Sequence, residues 1–147
     1  MIKLKKELIL IIFFMILSVA VWQVWKFFRP SGSVSISTDK NDYKKGENII
    51  VEIENKTNRN VCFSSCYPYY LEKKDGDWES YSYDNCSRID LTGNCVKPKE
   101  KKFFQIEDFS YAKEGFHRLS VPACLGCNLV ENFREDKKFY SNEFFIK

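Results

Sequence analysis

The first twenty-eight residues, MIKLKKELILIIFFMILSVAVWQVWKFF, constrain this chain more than any other feature, because they carry one long apolar run. From Leu8 to Trp25 there are 18 residues without a charge, and Gln23 is the one amide among them. That is about the length a helix needs to cross a hydrocarbon core of roughly 30 Å. Lys3, Lys5 and Lys6 precede the run, so the positive-inside rule would hold the N-terminus in the cytoplasm and send the remainder outward. Trp22, Trp25, Lys26 and Arg29 have the composition of an interfacial belt. The competing reading is a signal peptide cleaved after Ala20, since Ser18-Val19-Ala20 places small residues at the recognition positions, and the domain would then be secreted. The apolar run continues past that point to Phe27 and Phe28, which favours an anchor. No cysteine follows the run, so a lipid-modified N-terminus is not expected.

Two segments result: residues 1–30, a cytoplasmic stub with the transmembrane anchor, and residues 31–147, an ectodomain. The first holds five Lys/Arg and one acidic residue, the second 18 basic and 19 acidic, so the formal net charge of +3 belongs to the anchor. Nucleic acid is therefore not an expected partner, because phosphate binding needs clustered positive charge. No nucleotide-binding glycine loop or paired catalytic carboxylates are visible, and no cofactor is expected. All six cysteines, Cys62, Cys66, Cys86, Cys95, Cys124 and Cys127, lie in the ectodomain, as suits a small extracytoplasmic domain stapled by three disulfides. Fifteen pairings are possible and spacing does not choose among them. The economical arrangement pairs Cys62 or Cys66 with Cys86 or Cys95, and closing such a loop contributes roughly 3 to 4 kcal/mol in the chain-entropy model.

After a short flexible link, Ser31-Gly32-Ser33, the hydrophobic period becomes two. Strands are predicted over Val34 to Ser37, Ile49 to Asn55, Val61 to Phe63, Tyr69 to Lys74, Asp77 to Tyr83, Lys102 to Phe109, Gly115 to Val121 and Phe139 to Ile146. Asp75-Gly76 suits a type I′ hairpin turn. Residues 84 to 100 read as a polar, cysteine-bearing excursion. Residues 122 to 137 are long for a hairpin connection, and Asn128 with Glu131 suggests a capped helical turn with Leu129, Val130 and Phe133 inward. Many short strands without alternating helices predict an all-β fold, an immunoglobulin-like antiparallel sandwich of seven to eight strands, preceded by one N-terminal transmembrane helix.

The stretch Ser37-Thr38-Asp39-Lys40, Tyr43, Lys44-Lys45-Gly46-Glu47, Ile49, Val51, Ile53 and Asn55 resembles the opening of immunoglobulin-like domains in bacterial surface proteins, in particular the proteinase-inhibitor-type immunoglobulin-like family. Leu71-Glu72-Lys73 through Trp78 is similar to the family's "L-E-K … G-x-W" hairpin, and Lys97-Pro98-Lys99-Glu100 to its "L-x-P-G-E" turn, with Lys99 where a glycine is usual. Glu114 to Leu119 resembles its "G-x-Y-R" strand, with His117 where a tyrosine is usual. The resemblance spans most of Ser33 to Lys147, and its motifs are structural. It implies the fold and, more remotely, proteinase inhibition.

Cys124-Leu125-Gly126-Cys127 is the sharpest chemical signal, because a C-x-x-C before a helix start can stabilise a thiolate, as a thiol-disulfide oxidoreductase with Cys124 as nucleophile and Cys127 as resolving thiol would require. The βαβ setting of such motifs is absent, so both cysteines are expected to be structural. Cys62, Cys66, Cys124 and Cys127 offer a zinc set on paper, but C-x3-C departs from the usual spacing and oxidation competes for the thiols. His117, the one histidine, is expected to replace a core aromatic on the face of Leu119 and Val121, with Arg118 pointing the other way into a cross-sheet pair. Tyr67, Tyr69, Tyr70, Trp78, Tyr81 and Tyr83 crowd one hairpin. One face of it is core, and the other would leave an aromatic row suited to a carbohydrate or protein partner. Asn55-Lys56-Thr57 and Asn85-Cys86-Ser87 match the glycosylation sequon but carry little weight in a bacterial context. The sequence thus reads as a non-catalytic, membrane-tethered, outward-facing binding or envelope-assembly module, with the sheet faces and residues 122 to 137 as contact surfaces.

Overall fold

A computed structural model of the chain describes residues 14–23, 32–82, 86–107 and 109–147. The chain divides into two units, Met1–Pro30 and Ser31–Lys147. In the first, residues 14–23 are helical, and Phe14, Met15, Ile16, Leu17, Val19, Val21 and Trp22 are exposed. Among the described residues no helix is long and apolar enough to cross a membrane, and both ends of the expected span, Leu8 and Trp25, lie outside them.

The second unit is all β, in two sheets. The smaller joins β1 (Val34–Thr38), β3 (Ile49–Asn55) and β8 (Lys101–Ile106) in the order β1-β3-β8. Its alternation is legible in β3: Ile49, Val51, Ile53 and Asn55 are buried, while Ile50 is exposed and Glu52 and Glu54 are half-buried. Asn55 shows why the strand ends in an amide. Its Nδ2 donates to the carbonyls of Arg59 (2.7 Å) and Val96 (2.9 Å), and its Oδ1 accepts from the Thr57 amide (3.0 Å), so one side chain satisfies groups that the chain reversal would leave bare. Fully buried and so engaged, Asn55 is closed to glycosylation in the folded domain.

The larger sheet is built around β9 (Gly115–Leu125), whose eleven residues pair along both edges. On one side lie β5 (Tyr70–Asp75) with its hairpin partner β6 (Asp77–Ser80), and β4 (Val61–Ser64) with β7 (Thr92–Val96). On the other lie β10 (Lys137–Tyr140) and β11 (Phe144–Ile146), the latter pairing in parallel with β2 (Asp42–Tyr43). The core between the sheets includes Val51, Ile53, Phe63, Leu119, Val121 and Phe144, with Phe63 edge-on to Phe104 at 6.1 Å.

Several expectations need correction. The excursion at 84 to 100 contains strand β7, whose Thr92-Gly93-Asn94 start hides it from a hydrophobic pattern. Gly93 lets the two backbones approach closely there, since a Cβ would lie 3.0 Å from the Ser65 Cα of the adjacent segment. The hairpin forms at Gly76, but Asp75 pairs with Asp77 and only Gly76 takes positive φ (77°), so the turn is not type I′. β6 ends at Ser80, and Tyr83 lies outside the described residues. β9 runs on to Leu125, past the expected end at Val121. The last strand is broken at 141–143 because Asn142 turns inward to bond Thr38 through both its amide atoms (2.8 and 2.9 Å).

No helical turn forms at 128–133. Val130 takes φ 65°, its amide donates to the Thr92 carbonyl, and Thr92 and Phe133 donate to the Glu131 and Asp90 carbonyls. These groups complete the edge of β7, which satisfies more backbone than a helix of barely one turn could, since such a helix has not repaid its nucleation cost. Gly32 and Ser33 are also more ordered than the composition suggests: the Ser33 carbonyl accepts from Lys56 N, and Gly32 packs where any Cβ would strike the Lys56 carbonyl.

Candidate functional site

Alternation along β9 divides its side chains between the core and the outer face of the larger sheet. His117, Leu119, Val121 and Ala123 point inward; Phe116, Arg118, Ser120, Pro122 and Cys124 occupy the outer positions. His117 is buried between Tyr81 and Phe144, its ring stacked on both at 6.0 and 6.1 Å. Its Nδ1 lies 2.8 Å from the Gly115 carbonyl and therefore donates, leaving Nε2 to accept from the Tyr81 hydroxyl at 3.2 Å. Burial holds its pKa below the ordinary histidine value, the Gly115 bond opposing and nearby Lys73 assisting. It is a neutral core ring.

Arg118 anchors the outer face. Its Nε donates to Glu72 Oε2 at 2.7 Å across the β5/β9 pairing, as expected from its orientation. Its guanidinium lies between two rings, 4.2 Å from the centroid of Trp78 on β6 and 4.1 Å from that of Tyr140 on β10. Lys74 reaches the Trp78 ring at 5.4 Å, and Phe116 meets Phe145 edge-on at 5.1 Å. The hairpin composition pointed to Trp78 and Tyr70. It missed Tyr140, Phe116 and Phe145, although i, i+2 spacing in Phe116-His117-Arg118 places Phe116 beside Arg118.

The far end of the same face holds the cysteines. The structure joins Cys62 to Cys95, Cys66 to Cys86 and Cys124 to Cys127. Cys62 is the register partner of Cys95 on β7 and of Cys124 on β9, so three cysteines form one row across three strands. Residues 126–136 fold back over this row, and Cys62, Cys124, Cys127, Cys95 and Phe133 make a second, small core. The C-x-x-C therefore caps the end of a strand. No helix follows the pair, and Cys124 and Cys127 are 0% and 1% exposed, so it lacks both the helix dipole and the access that thiol exchange needs. Glu131 brings a carboxylate within 4.8 Å of both sulfurs, yet sulfurs joined to each other offer no thiolate. The four-cysteine set considered for zinc is dispersed, with Cys66 bonded to Cys86 on the 86–90 segment.

A family model described as bacterial Ig-like domain matches residues 30–121, and the chain belongs to that family. The match ends before Cys124, so residues 122–147, including β10, β11 and the covering loop, lie beyond it. It supports the general family, while the proteinase-inhibitor-type kinship rests on the motifs alone. No curated protein matches the chain. Among solved structures, the alkylpurine DNA glycosylase AlkC of Pseudomonas fluorescens, bound to DNA containing an abasic site analog, is similar at 12% identity with a TM-score of 0.35. The likeness covers 78% of this chain and 30% of that one, and at this level it carries no argument. Domains of this family are typically non-catalytic modules that bind or support.

Proposed function

We propose that this chain is a membrane-tethered, extracytoplasmic Ig-like module that binds a protein partner of the cell envelope through the outer face of its larger sheet. The observation that carries the reading is the Trp78–Arg118–Tyr140 stack, continued by Phe116 and Phe145. Tryptophan, tyrosine and arginine dominate interface hot spots because they bring large contact area at low entropy cost, and here they are already held in one conformation. Tethering is supported by the apolar run and by the all-round exposed apolar side chains of residues 14–23; an outward location is supported by three disulfides, which persist in oxidising compartments. Secretion after cleavage near Ala20 is the alternative route to the same compartment.

The test is affinity purification of the full chain from solubilised envelopes with Arg118→Glu or Trp78→Ala. Loss of a stoichiometric partner by both variants, with the disulfides formed and the far-UV circular dichroism of the folded domain retained at the assay temperature, supports the reading. Undiminished recovery by both variants removes this face from consideration.

A further inference from the structure

Beside the aromatic stack, the same outer face opens into a cleft of about 440 Å3 where β5, the end of β6 and the start of β10 converge. Its lining is rich in hydroxyls, from Tyr67, Tyr70, Ser80 and Ser82, with Glu135 and Lys138 on the β10 side. Tyr67 and Tyr70 stack nearly parallel, 15° apart at 5.9 Å, and Lys138 lies 5.8 Å from the Tyr70 centroid. Glu135 and Lys138 pair at 3.9 Å, so the cleft carries no net charge. Ser120, fully buried, is the register partner of both Tyr70 and Tyr140. Among the described residues its hydroxyl is the one buried side-chain polar atom without a hydrogen-bond partner.

We infer that this cleft binds a neutral glycan segment. The inference rests on reading the outer face as the contact surface and assigns part of that face a ligand. A sugar presents an apolar C–H face and a rim of hydroxyls, and this cleft offers aromatic rings beside short hydroxyls, a carboxylate and an ammonium. Its volume falls within the range of small-ligand sites, about 300–1,000 Å3. Other ligand classes fit less well. A phosphate would need positive charge beyond one paired lysine, and a lipid chain would need an apolar lining.

The test is isothermal titration calorimetry of the purified full chain with two probes, the N-acetylglucosamine tetramer and maltotetraose. Binding of either is expected, weakened at least about tenfold by Tyr70→Ala and by the surface variant Glu135→Gln, while Phe103→Ala, on the exposed face of the smaller sheet, changes it by less than about twofold. Absence of heat with both probes at about 10 mM, a concentration that reveals even millimolar affinities, overturns the inference, as does binding indifferent to both cleft variants. Should the sugars fail while the envelope partner is still lost with Arg118→Glu, the glycan assignment falls and the protein-binding reading stands.

Discussion

Arg118 and Glu72 face each other across β9 and β5 as register partners, joined at 2.7 Å, and the pair fixes the guanidinium between Trp78 and Tyr140. Both side chains are largely screened from solvent, at 22% and 10% exposure, so the interaction exceeds that of a surface ion pair. A double-mutant cycle with Arg118→Ala and Glu72→Ala, followed by urea unfolding, is expected to give a coupling of about 1–3 kcal/mol. A coupling near zero would show that the stack, and not the carboxylate, holds the arginine.

His117 makes stability depend on pH. Its folded pKa lies below the unfolded value of about 6.5, so the unfolded chain binds the proton first as pH falls. Stability from this residue is fully present above that value and declines as pH drops toward the folded pKa. His117→Phe keeps an aromatic at the site and removes the titration. The expected outcome is a thermal midpoint that falls less between pH 7 and 5 than in the parent chain, and parallel curves would contradict the assignment.

Two tyrosines act at the alkaline end. Burial pushes Tyr43, whose hydroxyl donates to Asp39 at 2.6 Å, and Tyr69 up to about 12. The unfolded chain loses these protons near pH 10, so the contribution of the two tyrosines to stability should be level below that and fall steadily from pH 10 to 12. Tyr43→Phe should shallow this decline, read by denaturant melts across that range. An unchanged slope would assign the loss to other groups.

The three disulfides close loops of very different length, with sequence separations of 33, 20 and 3. In the chain-entropy model they stabilise by about 4, 3 and 2 kcal/mol. Replacing Cys62 and Cys95 by serine should therefore cost the most and replacing Cys124 and Cys127 the least, measured as urea midpoints without reductant. The reverse order would mean that the loop over residues 126–136 contributes more than its closure entropy suggests.

Much of this architecture is legible in the sequence wherever one face of a strand is wet. Alternation in Ile49 to Asn55 and in Gly115 to Val121 assigns the inward residues, and it places His117 and Arg118 on opposite faces, as found. Lys99 is legible through the resemblance of its turn to an L-x-P-G-E motif: it stands where a glycine is usual, and its φ of 63° shows why. What escapes is structure set by tertiary partners. β7 exists because Cys95 and Asn94 pair with Cys62 and Phe63, and the apparent helix at 128–133 gives way because Thr92 offers its backbone. The aromatic stack was half visible, since Tyr140 reaches Arg118 only through the β9/β10 pairing, a contact between strands separated by the covering loop.

The most direct measurement is site-specific photocrosslinking in living cells, with a photoreactive phenylalanine at position 140 of the full chain and, for comparison, at position 103, an exposed site on the smaller sheet. The account expects one discrete protein adduct from position 140, abolished by Arg118→Glu, and none from position 103. No adduct from position 140, or the same adducts from both positions, would contradict a binding surface on the outer face of the larger sheet.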